Sequence, residues 1–112
     1  MANEIKEFFE NYRNDVAKMK EQTPDFVNAF AGLFTKVMKN GALSVMQKEL
    51  IALGIGVTQH CAPCIRLHVQ KALEAGATKE QVLEAAAVAV VMGGGPAYTH
   101  IPIVINTLEA LD

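Results

Sequence analysis

The chain carries no run of lysines and arginines and no strong net charge: its formal balance is −2 at pH 7, with a pI near 5.9. Without a positive patch there is no electrostatic footprint for nucleic acid or anionic lipid, so neither is expected as a partner. Its longest uninterrupted apolar run, Ala85 to Gly95, falls well short of the roughly 20 residues that a bilayer-spanning helix needs. The stretch Met1-Ala2-Asn3-Glu4-Ile5-Lys6 has neither the basic nor the apolar region of a signal peptide, and a cytoplasmic location is the expectation. Cysteine is scarce, two among 112 residues, too few for a disulfide-stapled fold. A chain of this length can bury a core without staples, so in a reducing cytosol a close cysteine pair points to chemistry or metal rather than scaffolding. Phosphate cradles are also missing. Gly54-Ile55-Gly56 lacks the third glycine and the preceding strand of a dinucleotide fingerprint, and reads instead as room for close helix packing or a loosened helix end. Gly93-Gly94-Gly95-Pro96 has no Lys-Ser/Thr partner and reads as a helix break. No linker, low-complexity tract or internal repeat divides the chain, which fits one domain over residues 1–112.

What is abundant is apolar residues. With glycine included and tyrosine left out they make up about 56% of the chain, above the roughly 45–50% of soluble domains. A small chain has too little interior to hide such an excess, which predicts a subunit interface and therefore an oligomer. Ile5, Phe8, Phe9, Tyr12, Val16 and Met19 recur at helical spacing and predict an amphipathic N-terminal helix over residues 3–20. Thr23-Pro24 opens a second packing helix, striped by Phe26, Val27, Phe30, Leu33, Phe34, Val37 and Met38 and stopped at Asn40-Gly41. Ser44-Val45-Met46-Gln47 and Thr78-Lys79-Glu80-Gln81 are capping-box patterns that start a third and a fifth helix. Between them a fourth begins near His60 or Cys61, with Pro63 tolerated only in its first turn, and ends at Gly76. The segment Ala85 to Met92, apolar all round, is expected in core or interface. A last helix follows, strained or kinked near Pro102; Ile101-Pro102-Ile103-Val104-Ile105 is the one piece that also reads as a strand. The expected fold class is all-α, a bundle of five to six helices.

The chemistry concentrates in Cys61-Ala62-Pro63-Cys64 and His68, with Glu49 twelve residues upstream of the first cysteine. Cys61, Cys64 and His68 share one face of the fourth helix at spacings of three and four. A thiol near a helix N-terminus meets unpaired N–H groups and the positive end of the dipole, which favour thiolate. A bridge between cysteines three apart closes a very short loop, the kind that opens readily. Glu49 has Val45, Met46, Ala52 and Leu53 as helical neighbours, so its carboxylate faces the side that ought to be buried. Burying an unpaired carboxylate costs several kcal/mol or so, and no Lys or Arg is obviously placed to neutralise it. A nearby imidazole would make it part of a proton path. The same residues leave other readings open. Cys61, Cys64 and His68 with Glu49 or His60 would offer a soft metal site, and Glu49 with His68 alone would suit a non-redox lyase.

Glu49, the Cys61–Cys64 pair and His68 in this order and spacing resemble the active-site motif of the alkylhydroperoxidase D-like branch of the carboxymuconolactone decarboxylase family. Residues 44–53 and 76–82 are similar to the family's core helices, and the resemblance covers roughly residues 20–110. It implies an all-helical fold and a homo-oligomer, a trimer or hexamer. It further implies a peroxidase or disulfide reductase of antioxidant defence that takes a hydroperoxide or disulfide substrate and a thiol electron donor. Cys61 and Cys64 would be the redox pair, and Glu49 and His68 the proton relay. Neither cofactor nor metal is called for. Where some members carry a second His between the cysteines this chain has Pro63, and His60 is the candidate accessory in its place. The decarboxylase branch works without a thiol pair, so the cysteines argue against lactone decarboxylation.

Overall fold

A computed structural model describes residues 2–112, and among them the chain is helical throughout, with no strand. The helices are α1 (Ala2–Gln22), α2 (Pro24–Val37), α3 (Val45–Thr58), α4 (Ala62–Glu74), α5 (Lys79–Gly93), the single turn α6 (Gly95–Tyr98) and α7 (Ile101–Leu111). Six of them run eleven residues or more, as the all-α reading expects.

Local chemistry sets most of the boundaries. Ser44 Oγ accepts from Gln47 N–H while Gln47 Oε1 accepts from Ser44 N–H, and Thr78 and Gln81 repeat the arrangement, so both capping boxes are closed. Pro24, Pro63, Pro96 and Pro102 all fall within the first two positions of their helices, where a missing N–H costs nothing. Pro102 therefore neither kinks α7 nor makes a strand of residues 101–105. Thr23 does not cap α2 with its side chain. Its hydroxyl donates back to Met19 O at 2.8 Å, leaving α1 and α2 joined by one residue. α2 also ends at Val37, before the expected Asn40-Gly41, because Lys48 Nζ reaches across from α3 and donates to Val37 O and Lys39 O, both at 2.7 Å.

α3 lies at the centre, packed on one side by α4 and on another by α5, while α7 rests on α4 and α1 on α7. The core is built from Leu53 and Val57 of α3, Ile65 and Val69 of α4, Val82 of α5 and Val104 of α7, all fully buried. Full burial of an aliphatic side chain of this size is worth roughly 1.5–3 kcal/mol, so these helices hold one another firmly.

The chain by itself leaves open two apolar faces that the sequence marks for burial, the second of them in core or interface. α2, read as a packing helix, has no buried residue at all, and Phe26, Phe30, Leu33 and Val37 stand open. On α5 only Val82, Ala86 and Ala89 are buried, and Val88, Val91 and Met92 are 62%, 82% and 81% exposed. The chain exposes 7199 Å², whereas a compact monomer of its mass would expose about 6,000 Å². The hairpin of α1 and α2 accounts for this shape, since α2 touches chiefly α1. None of the helices among the described residues is long and apolar enough to cross a membrane.

Candidate functional site

Cys61 sits at the junction of two helices and is fixed by both. Its N–H donates to Gly56 O at 3.0 Å while His60 N–H donates to Val57 O at 3.2 Å, the pair of bonds that closes a helix in a Schellman turn. The same residue is the N-cap of α4, its sulfur accepting from Cys64 N–H at 3.3 Å. The turn needs a left-handed residue, and His60 supplies it with φ of +55°, the one non-glycine among the described residues with positive φ. Gly56 lets α4 come this close. A Cβ there would lie 3.1 Å from Cys64 Cβ and 3.5 Å from Ile65 N.

The two cysteines are joined in a disulfide, their Cα atoms 5.2 Å apart. Both are half-buried, as is His68. Ile65, Val69 and Ala72, on the inner side of the same helix, are fully buried, so the sulfurs and the imidazole lie on the margin of the core rather than inside it. That margin is where a site must lie if substrate is to reach it.

Glu49 is 4% exposed and its Oε1 lies 2.7 Å from His68 Nδ1. The three cationic side chains near it in sequence or on α4 are engaged elsewhere: Lys48 on the α2 carbonyls, Arg66 with its guanidinium carbon 5.0 Å from the Phe8 ring centre, and Lys71 with its Nζ 5.3 Å from the Phe34 ring centre. The imidazole is thus the group that repays the burial of the acid. An ionised carboxylate can only accept, so against it Nδ1 would carry the hydrogen, and the neutral tautomer of that kind has its lone pair at Nε2. The structure brings Glu49 and His68 into contact and the two sulfurs into a bond, on adjoining turns of α4 and its partner α3.

His60 takes no part in that contact. It is exposed, and its ring stacks on His100 at a centre-to-centre distance of 5.1 Å, while His100 Nδ1 donates to Pro96 O at 2.8 Å.

Two further residues border the site that the sequence reading did not single out. Phe34 of α2 stacks against His68, ring centres 6.4 Å apart and planes 24° from parallel, and Lys71 places its Nζ 5.3 Å from the centre of the same Phe34 ring. Lys71 follows His68 by three residues, which marks it as a neighbour. Nothing local ties Phe34 to either.

Comparison with known proteins agrees with the fold. The chain superimposes on a carboxymuconolactone decarboxylase family protein from Legionella pneumophila with a TM-score of 0.86 and 32% identity, covering 96% of this chain and 94% of that one. A Thermotoga maritima family member, put forward for a part in the antioxidative response, gives a TM-score of 0.82 and 29% identity over 92% and 88% of the two chains. A protein encoded in the cox locus of Paracoccus denitrificans is 39% identical over 85 residues, 76% of this chain and 77% of its own length. The family profile itself spans residues 24–102, from the first turn of α2, through the cysteine pair, to the start of α7. With sequence and fold in agreement over that span, the chain belongs to the carboxymuconolactone decarboxylase family.

Proposed function

We propose that this protein is a thiol-dependent peroxidase or disulfide reductase of antioxidant defence, with Cys61 and Cys64 as its redox pair and Glu49 and His68 as its proton relay. One observation carries the reading: the buried Glu49 bonds His68 at Nδ1, on the helix that opens with the linked cysteines. Fixing the hydrogen at Nδ1 leaves Nε2 as the base, one turn beyond Cys64.

In the reduced protein, His68 takes a thiol proton and the resulting thiolate attacks the distal oxygen of a hydroperoxide. An S–O bond forms, the O–O bond breaks, and the alcohol leaves with the proton returned by the imidazolium. The second thiol then displaces water from the sulfenic acid and closes the Cys61–Cys64 disulfide. Two electrons have passed from the cysteines to the peroxide, and a dithiol donor restores them by exchange. Cys61 has the amide of Cys64 to stabilise its thiolate, whereas Cys64 has the closer base. The possible antioxidative role named for the Thermotoga relative supports the same class of reaction. Such a cycle suits a reducing cytoplasm, where the donor thiol is at hand.

Homo-oligomeric assembly, as a trimer or hexamer, belongs to the same proposal. It is supported by the open apolar faces of α2 and α5, which only burial against another surface would take from water.

The test is turnover of an alkyl hydroperoxide with a dithiol donor by wild type, Cys61→Ser, Cys64→Ser and Glu49→Gln. Both serine variants should lose turnover, and the glutamine variant should fall about 100-fold, the usual worth of a positioned acid–base group. Stoichiometric peroxide should remove two hydrogens from the mass of the reduced wild type. Wild-type rates in both serine variants would overturn the reading.

A further inference from the structure

We propose that Phe34 is a positioning residue for His68 and that Lys71 holds it in place. The inference rests on the thiol-redox reading above.

A single hydrogen bond at Nδ1 does not fix an imidazole. The ring can still turn about the axis of that bond and swing Nε2 away from the sulfur it serves. A second ring packed beside it in an offset stack restricts this freedom, and Phe34 lies there at 6.4 Å with its plane within 24° of the imidazole. The position of Phe34 is itself held from two directions. One turn further along α2, Lys48 grips the Val37 and Lys39 carbonyls from α3, beside Glu49. Over the ring, the ammonium of Lys71 sits 5.3 Å from the centroid, a cation–π distance.

The rest of α2 makes the contact conspicuous. No residue of that helix is buried, and Phe30, whose ring centre is 6.4 Å from that of Phe34, is 61% exposed. Phe34 is half-buried because it rests on the site. Glu49 from α3 is the charged group bonded to the imidazole, while α2 brings the phenyl ring, with Lys71 of α4 over that ring.

The experiment measures alkylation of the reduced thiols by iodoacetamide across the acidic to mildly alkaline range, alongside peroxide turnover, in Phe34→Leu, Phe34→Tyr and Lys71→Met. Phe34→Leu keeps an apolar side chain but loses the ring face. It should lower the neutral-pH alkylation rate and the turnover roughly tenfold and displace the pH profile, because a base aimed wrongly loses its hold on the thiol. Phe34→Tyr should restore the greater part of both, and Lys71→Met should fall between. A Phe34→Leu protein with the wild-type rate and profile would overturn the proposal, as would a Phe34→Tyr protein as impaired as the leucine variant, which would mark the residue as volume alone. Should Phe34→Leu fail to fold, Lys71→Met decides: a displaced profile supports the proposal and a wild-type profile overturns it. Alkylation reports the coupling of His68 to the thiols whatever the substrate. If the serine variants show that peroxide is not consumed through the cysteines, the redox reading fails while the alkylation profiles still judge Phe34.

Discussion

α2 and α3 are each fourteen residues long and each rich in apolar side chains, yet α3 buries Glu49, Leu53, Gly56 and Val57 while α2 buries nothing. The helix with the cleaner apolar stripe, Phe26, Phe30, Leu33 and Val37, is the one left open, and the helix whose apolar residues are spread around it is the one packed between α4 and α5, with Ile51 and Ile55 still open. Periodicity reports that a helix has a face to bury. It does not report whether this chain or another covers it. The packed helix carries the acid of the candidate site, where a buried charge can be held by design. The open one hangs from a one-residue link, a lysine latch and one aromatic contact.

The sharpest way to break this contrast is a pair of truncations. Leu53→Ala removes a fully buried side chain and should lower stability by about 3 kcal/mol at every protein concentration, read from urea unfolding. Phe30→Ala removes a larger side chain from the open face, and its effect should come through association alone. Its unfolding midpoint should converge on that of wild type as both are diluted, and light scattering should show the smaller species. A Phe30→Ala cost that persists unchanged on dilution would mean that α2 is packed within its own chain after all.

How much of this was legible beforehand follows the range of each interaction. The capping boxes at Ser44 and Thr78, Pro24 and Pro63 at their helix starts and the stop at Gly76 are decided within four residues, and all are found as read. Glu49 was legible as an anomaly because its neighbours are apolar, and its partner His68 because the helix phase puts the imidazole on the cysteines' face. Phe34 was not, since its contact with His68 joins positions 34 residues apart and the stripe around it reads as ordinary packing. The left-handed His60 was hidden because a glycine normally marks such a turn. Residues 101–105 carry apolar groups that satisfy both helical and strand periods, and only the surrounding bundle decides between them.

A smaller effect separates two glycines, one in each helix. Gly32 of α2 has open space where a Cβ would stand, whereas a Cβ on Gly56 of α3 would press on Cys64 Cβ at 3.1 Å. Gly56→Ala should therefore cost about 1–2 kcal/mol through overpacking and should change how readily the disulfide is reduced, because the strain falls on the cysteine turn. Gly32→Ala should stabilise by about 0.5–1 kcal/mol from helix propensity. Thermal unfolding measures both. A stabilised Gly56→Ala would show that α4 yields easily and that the close approach is incidental. A destabilised Gly32→Ala would place a second surface against α2 at that point, which would sharpen the case for assembly.

The smallest expected effect lies in two turns of the same form. α4 ends with Ala77 N–H on Ala72 O and Gly76 N–H on Leu73 O, the bonds that Cys61 and His60 make at the end of α3. Glycine holds the left-handed position in one, with φ of +97°, and histidine holds it in the other at +55°. A side chain in that region costs about 1–2 kcal/mol, so Gly76→Ala should destabilise by about 1 kcal/mol. His60→Gly should relieve the same strain but gives up the stack on His100, and an aromatic pair is worth about 0.5–1.5 kcal/mol. The two terms nearly cancel, and a net gain of about 0.5 kcal/mol is expected. The double variant His60→Gly/His100→Ala separates them: if the stack is what holds histidine at this turn, His100→Ala should cost more stability with His60 present than once position 60 is glycine, where only its hydrogen bond to Pro96 O is left to lose. Equal costs in both backgrounds would show that the rings do not support each other and that His60 bears its strain for some reason other than packing.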